Sequence, residues 1–253
     1  MLKGQSPALH VIVFMFIAYL IAGLGMGVYQ WSVMAVVGEA FYTANFEDPR
    51  IVLSHNLFFQ IFAFLISFMA MLNITGERFE AVVAIGKTNM RGVLITCGVF
   101  LAAMMALPLM EYINEPLSYL LSPAQLEREA LHNETMNGLL IQGNPIQFVV
   151  ALFVMAVLPA ICEELVFRGF LIRKMLDSGL TRHAAVISSA LIFSLTHFQP
   201  MKFVSIFFLG LCLGYIYTYF KNIKYAMLLH FLVNGSQAIL GFLVGSGVLD
   251  IAF

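Results

Sequence analysis

Seven stretches of this chain are apolar over roughly the length a helix needs to cross a lipid bilayer, and nothing else in the sequence constrains the fold as much. A crossing helix takes about 20 consecutive apolar residues. The stretches run roughly from Ala8 to Tyr29, Val52 to Leu72, Gly92 to Met110, Ile146 to Phe170, Ala184 to Phe198, Phe203 to Tyr219, and Tyr225 to Val244. Composition agrees: 61% of the 253 residues are hydrophobic and 11% charged, and the mean hydropathy is +0.91. A soluble domain is about half apolar and a quarter charged, so lipid must solvate much of this chain. The class predicted is all-α: a polytopic membrane helical bundle of about seven transmembrane helices. Lys3 precedes the first stretch, as in a signal peptide. The apolar run outlasts the usual ~7–15 residues and no A-x-A site follows, so the stretch reads as a retained first span.

Charge placement tests the count. With the N-terminus inside and the spans alternating, the inner segments hold Lys3; Arg78, Lys87 and Arg91; Arg168, Arg173, Lys174 and Arg182; and Lys221 and Lys224. The outer segments hold only Arg50, Arg128 and Lys202. This is the positive-inside bias. The expectation is a multi-pass integral membrane protein with a cytoplasmic N-terminus, in the plasma (inner) membrane if the source is bacterial. Its first partner is the lipid bilayer. A formal net charge of -1 offers no basic surplus, so nucleic acid is not expected as a partner. Cys97, Cys162 and Cys212 are isolated within apolar segments and suggest neither a disulfide framework nor a metal knuckle.

The longest polar stretch runs from Glu111 to Pro145, with three prolines and five glutamates. It reads as an outer loop, 111–145, with a short surface helix expected around Pro123–Leu131. The loop divides the chain into 1–145, three spans without motif chemistry, and 146–253, which holds all of it between residues 163 and 234.

Ionisable groups inside a span cost about 2.5–3.5 kcal/mol each on insertion scales, so they mark where to look. The fourth stretch contains Cys162-Glu163-Glu164-Leu165-Val166-Phe167-Arg168. Glu164 and Arg168 are i and i+4 and share a helix face; Glu163 points about 100° away and is left for another partner. The fifth stretch ends in Phe193-Ser194-Leu195-Thr196-His197, and the seventh holds His230-Phe231-Leu232-Val233-Asn234. Each of these strings has a plain structural reading: a helix-end ion pair, an interfacial histidine, a polar pair gluing helices. Together they suggest more. Counted from the turn near Gly179, Glu163 and His197 arrive at similar depth in an antiparallel hairpin. His230, close to the Lys221–Lys224 turn, comes out shallower by about ten residues.

The chemistry such a set supports is hydrolysis. A carboxylate in a low-dielectric site takes up a proton more readily than in water, which suits it to general-base work near neutrality. His197 can orient the same water or carry its proton. His230 and Asn234 are donors suited to a developing oxyanion. The same residues can instead hold Zn²⁺, with Glu163, His197 and His230 as ligands. The strings H-E-x-x-H and G-x-S-x-G are absent. Cys162 is read as packing, because burial disfavours the thiolate.

Taken together, Glu163-Glu164-x-x-x-Arg168, Phe193-x-x-x-His197 and His230-x-x-x-Asn234 resemble the motif set of the CAAX-protease and bacteriocin-processing family (CPBP, also called ABI). These are intramembrane proteases, among them CAAX prenyl endopeptidases and lysostaphin-resistance-like proteins. The resemblance covers roughly residues 146–240. Phe207–Gly214, with Gly210 and Gly214 at close-packing spacing, resembles the family's glycine-rich helix. The resemblance implies that Glu163 acts with His197 on water, that Glu164 and Arg168 steady the first motif, and that His230 and Asn234 form an oxyanion site. It implies a membrane protein or peptide as substrate. The family is often labelled metalloprotease, but a metal-free glutamate mechanism is also argued for it. The first choice here is therefore that no cofactor is required, with Zn the alternative. Two other functions stay open: a non-proteolytic scaffold or bacteriocin-immunity protein of the same fold, and a proton-coupled transporter, for which the inverted repeats and paired broken helices are missing.

Overall fold

The structure is a computed structural model that describes residues 5–46, 48–140 and 144–249. Lys3, counted above among the inner charges, lies outside the described residues. All regular structure described is helical. We number the helices α1 (Pro7–Val37), α2 (Glu39–Ala44), α3 (Pro49–Thr75), α4 (Phe79–Val82), α5 (Met90–Leu120), α6 (Pro123–Leu140), α7 (Pro145–Asp177), α8 (Arg182–Leu195), α9 (Pro200–Phe220) and α10 (Ile223–Gly245).

The sequence sets where these helices begin. Ser6, Asp48, Asn89, Asn144, Thr181 and Asn222 each precede a helix, and each side chain accepts a hydrogen bond from a first-turn N–H. These short polar side chains satisfy donors that the helix cannot. Proline follows Ser6, Asp48 and Asn144 directly, where its missing N–H costs nothing. The stops are equally local: Gly76 (φ 69°) ends α3 and Gly179 (φ 92°) ends α7 in left-handed backbone, which glycine adopts without strain.

Six helices (α1, α3, α5, α7, α9 and α10) are long and apolar enough to cross a membrane, and the chain is an integral membrane protein of all-α class. The fifth apolar stretch folds as α8, only 14 residues long. At 1.5 Å per residue that is about 21 Å, short of the ~30 Å hydrocarbon core. The α8–α9 turn therefore lies partway along the bundle, and it carries His197.

Hydrogen bonds made by side chains tie neighbouring helices together. Tyr29 of α1 bonds to Ile51 O and Ser54 Oγ of α3; Asn89 N, before α5, bonds to Tyr225 Oη of α10; Asn114 of α5 bonds to Pro200 O and Val204 N of α9. α8 and α9 make the closest pairing. A Cβ on Gly210 would lie 3.0 Å from the Cβ of Ala190, and one on Gly214 would lie 2.8 Å from Val186 Cγ1. The close-packing role read for these two glycines holds.

Helix register explains the depth mismatch of His230. α10 runs antiparallel to α7, with Ile223 against Gly169, His230 against Glu164, Asn234 against Met155 and Gly235 against Leu152. The start of α10 thus faces Gly169, well before the end of α7 at Asp177. A ruler anchored on the 177–181 turn places His230 too shallow for that reason alone. Against α8 the same α7 segment is also antiparallel: Ser189 Oγ donates to Phe167 O, and the Arg168 guanidinium lies over Phe193. His197 lies in the turn that follows, beyond the end of α8.

Two expectations need amending. The helix of the 111–145 segment does not stop near Leu131 but continues to Leu140, and it packs on α10, with Leu139 buried. The front part is not chemically silent, as the site below shows.

Candidate active site

Three helical turns near the centre of the fold are wider than α-helical, with π geometry: Gln60–Ile66 in α3, and Phe153–Val157 and Leu165–Ile172 in α7. Such turns are frequent at functional sites. Every polar group of the candidate site except His197 lies in or beside one of them, or is bonded to a residue that does.

Glu164 and Arg168 form the ion pair that their spacing predicts. Arg168 Nη1 donates to Glu164 Oε1 at 3.0 Å, and both side chains are fully buried. Arg168 Nη2 donates to Gly210 O at 3.0 Å, which only the close approach of α9 permits. The guanidinium also lies 4.8 Å from the centroid of Phe193, a cation–π contact. The second donor to Glu164 Oε1 is His230 Nδ1, at 2.8 Å. A carboxylate only accepts, so Nδ1 carries hydrogen. Removing one member of such a buried set costs several kcal/mol, because a charge is left without its partner.

Glu163, next in sequence and also buried, has a different partner. Gln60 Nε2 of α3 donates to Glu163 Oε1 at 2.6 Å. Glu163 Oε2 is buried and accepts no hydrogen bond. Sequence reasoning missed Gln60; its signal was a lone amide inside the apolar run Leu57–Ile66.

His197 is partly exposed. Its Nδ1 lies 2.6 Å from Phe193 O. A carbonyl is an acceptor, so Nδ1 holds the hydrogen and Nε2 presents a lone pair. The Phe193 ring meets His197 at 4.6 Å between centroids and His230 at 6.1 Å. The two imidazoles thus flank one aromatic ring, and among the described residues no hydrogen bond joins His197 to Glu163.

Asn234 takes a position the sequence did not indicate. Its Nδ2 donates to Met155 O at 3.1 Å. Residue 159 is proline, which has no N–H to give the carbonyl four residues earlier. Asn234 supplies the donor that Pro159 withholds. In this structure it is engaged with α7 backbone beside its role in the motif.

Zinc can be tested against the same donors. Glu163, His197 and His230 would be the ligands, through Glu163 Oε2 and the Nε2 atoms of the two histidines, since their other atoms hold Gln60, Phe193 O and Glu164. Among the described residues no three His, Cys, Asp or Glu side chains gather as a metal set. The residues present do not fit the ion.

Above the site, the α8–α9 turn is clamped from the other segments. Asn114, fully buried, accepts from Val204 N and donates to Pro200 O. Both carboxylate oxygens of Glu129 in α6 take Met201 N. Gln199 Nε2 lies 2.9 Å from His132 Nε2. An amide nitrogen only donates, so His132 is neutral at Nε2. Partial desolvation, assisted by the Lys202 ammonium and opposed by Glu129, holds His132 below the usual histidine range. Phe198, directly after His197, has φ 52°, a conformation strained for a bulky residue.

Residues 145–236 match the family model described as Type II CAAX prenyl endopeptidase, Rce1-like. The match bears out, at the level of the family, the resemblance drawn from the three motifs. It spans α7 to α10 and includes all six motif residues. Neither a search of the curated proteins nor one of the solved structures found a match.

Proposed function

We propose that this protein is an intramembrane endopeptidase that hydrolyses a peptide bond in a membrane-associated protein or peptide, with a water activated by Glu163 and His197. One observation carries the reading. Two polar side chains of opposite aptitude are each held by one atom, with no hydrogen bond at the other among the described residues: Glu163 held at Oε1 and open at Oε2, His197 held at Nδ1 and open at Nε2. Held, preoriented groups of this kind suit general acid–base work.

The chemistry follows from the residues. Glu163 Oε2 takes a proton from water as its oxygen adds to the carbonyl carbon. The tetrahedral oxyanion draws on α10, where Asn234 keeps one amide hydrogen beyond its bond to Met155 O. His197 Nε2 takes that proton over from Glu163 and passes it to the amide nitrogen as the C–N bond breaks, giving a carboxylic acid and an amine. Glu164 and Arg168 hold His230 and α9 in place. No step of this sequence needs a metal.

The family match supports the protease reading, and its name indicates the first probe. The test is purified protein in liposomes with two quenched peptides: one with a prenylated cysteine near its C-terminus, one unprenylated and anchored by an apolar segment. Cleavage of either that is lost in Glu163→Ala and in His197→Ala, with folding intact, supports the proposal. Full function of both variants in a cell assay would instead favour a scaffold of the same fold.

A further inference from the structure

We infer that Gln60, in a helix outside the segment matched to the protease family, is a positioning residue that orients Glu163 for its work. The inference rests on the proposed reading of Glu163, but its chemistry is testable without it. An amide in the middle of an apolar helix is expensive unless it is bonded. Gln60 is buried, and it gives its Nε2 to Glu163 Oε1 at 2.6 Å, across 103 residues of chain. It opens the wide turn of α3 at Gln60–Ile66, and that turn packs on both parts of α7 that flank the glutamates.

Geometry argues for orientation over simple glue. A carboxylate on a flexible stem can turn either oxygen to the site. The Gln60 donor takes Oε1 and stops that rotation, so Oε2 is the oxygen left open. Gln60 Oε1 is itself buried and accepts no hydrogen bond. The pair therefore presents two acceptors and no spare donor beyond one amide hydrogen, an arrangement that suits holding a water by its hydrogens. Outer-shell partners of this kind typically change activity by about ten- to hundredfold when removed.

Two readouts test it. In the liposome assay, Gln60→Leu keeps the volume and removes the donor; kcat is expected to fall by about ten- to hundredfold with KM within about twofold. Gln60→Glu puts two carboxyls where a 2.6 Å bond stood; such a pair shares one proton, so the variant should recover part of its kcat on the acid side. Glue alone would lower activity in step with Tm and leave the pH profile in place, and that result overturns the inference.

The second readout needs no cleavage. Dicyclohexylcarbodiimide forms adducts with protonated carboxyls in apolar surroundings, and peptide mass mapping locates them. Loss of a donor to the carboxylate favours its protonated form, so Gln60→Leu should raise labelling of Glu163 at pH 7 by about threefold or more, with Glu164 unchanged. Equal labelling in wild type and variant overturns the role of Gln60. A wild type that cleaves neither peptide, with labelling shifted as expected, overturns the protease reading and upholds the positioning of Glu163.

Discussion

Glu164 and His230, 66 residues apart in the chain, are joined by a 2.8 Å hydrogen bond from the imidazole Nδ1 to the carboxylate Oε1. The same oxygen receives Arg168, so a single buried atom ties α7 to α10 and, through Arg168 and Gly210, to α9. Glu164→Ala removes this centre and strands a fully buried guanidinium. We expect a loss of about 3–5 kcal/mol, read as a large fall in Tm in detergent. Glu164→Gln keeps the shape and should fall between. A Tm unchanged in Glu164→Ala would show that the set does not support the fold.

His197 should behave in the opposite way. It is partly exposed and bonded only to its own turn, so little packing is lost on truncation. His197→Ala is expected to reduce kcat by about 10²–10⁴-fold, the usual contribution of a positioned acid or base. Its Tm should stay near wild type. Parallel measurement of both quantities separates a reacting group from a packing one.

The clamp over the site gives a pH prediction. His132 accepts from Gln199 only when neutral, and its folded value lies below the usual histidine range. Its contribution is therefore complete above the ordinary value of about 6.5 and is lost as pH falls through the lowered folded value. Hydrogen exchange at the Met201 amide, corrected for intrinsic rate, should show protection falling over that window. Glu129→Ala should expose this amide at every pH, and Asn114→Leu should cost about 1–3 kcal/mol by leaving Pro200 O and Val204 N without partners.

For zinc, purification without chelator should yield less than one equivalent per chain, and a chelator should leave activity unchanged. The reason is that Glu163, His197 and His230 do not gather as a metal set among the described residues. One tightly held zinc that disappears in His197→Ala would overturn this expectation.

The sequence made some of this legible because the relevant spacing is local. Glu164 and Arg168 lie one helical turn apart and meet; Gly210 and Gly214 line one face and admit α8; capping residues mark six helix starts. What stayed hidden depends on register between helices. His230 came out too shallow because α10 begins opposite Gly169, a fact no count from a turn contains. Gln60 looked like one polar residue in an apolar run until α3 was seen against α7. Asn234 bonds Met155 because Pro159 removes a donor, which pairs a motif with a proline 75 positions away in sequence.

The most direct test of the account is cleavage in water enriched in ¹⁸O, with the new C-terminal carboxylate weighed by mass spectrometry. The account predicts one ¹⁸O in each product of the wild-type protein and no product from Glu163→Gln. Product that forms equally in Glu163→Gln, or that carries no label from water, would contradict it.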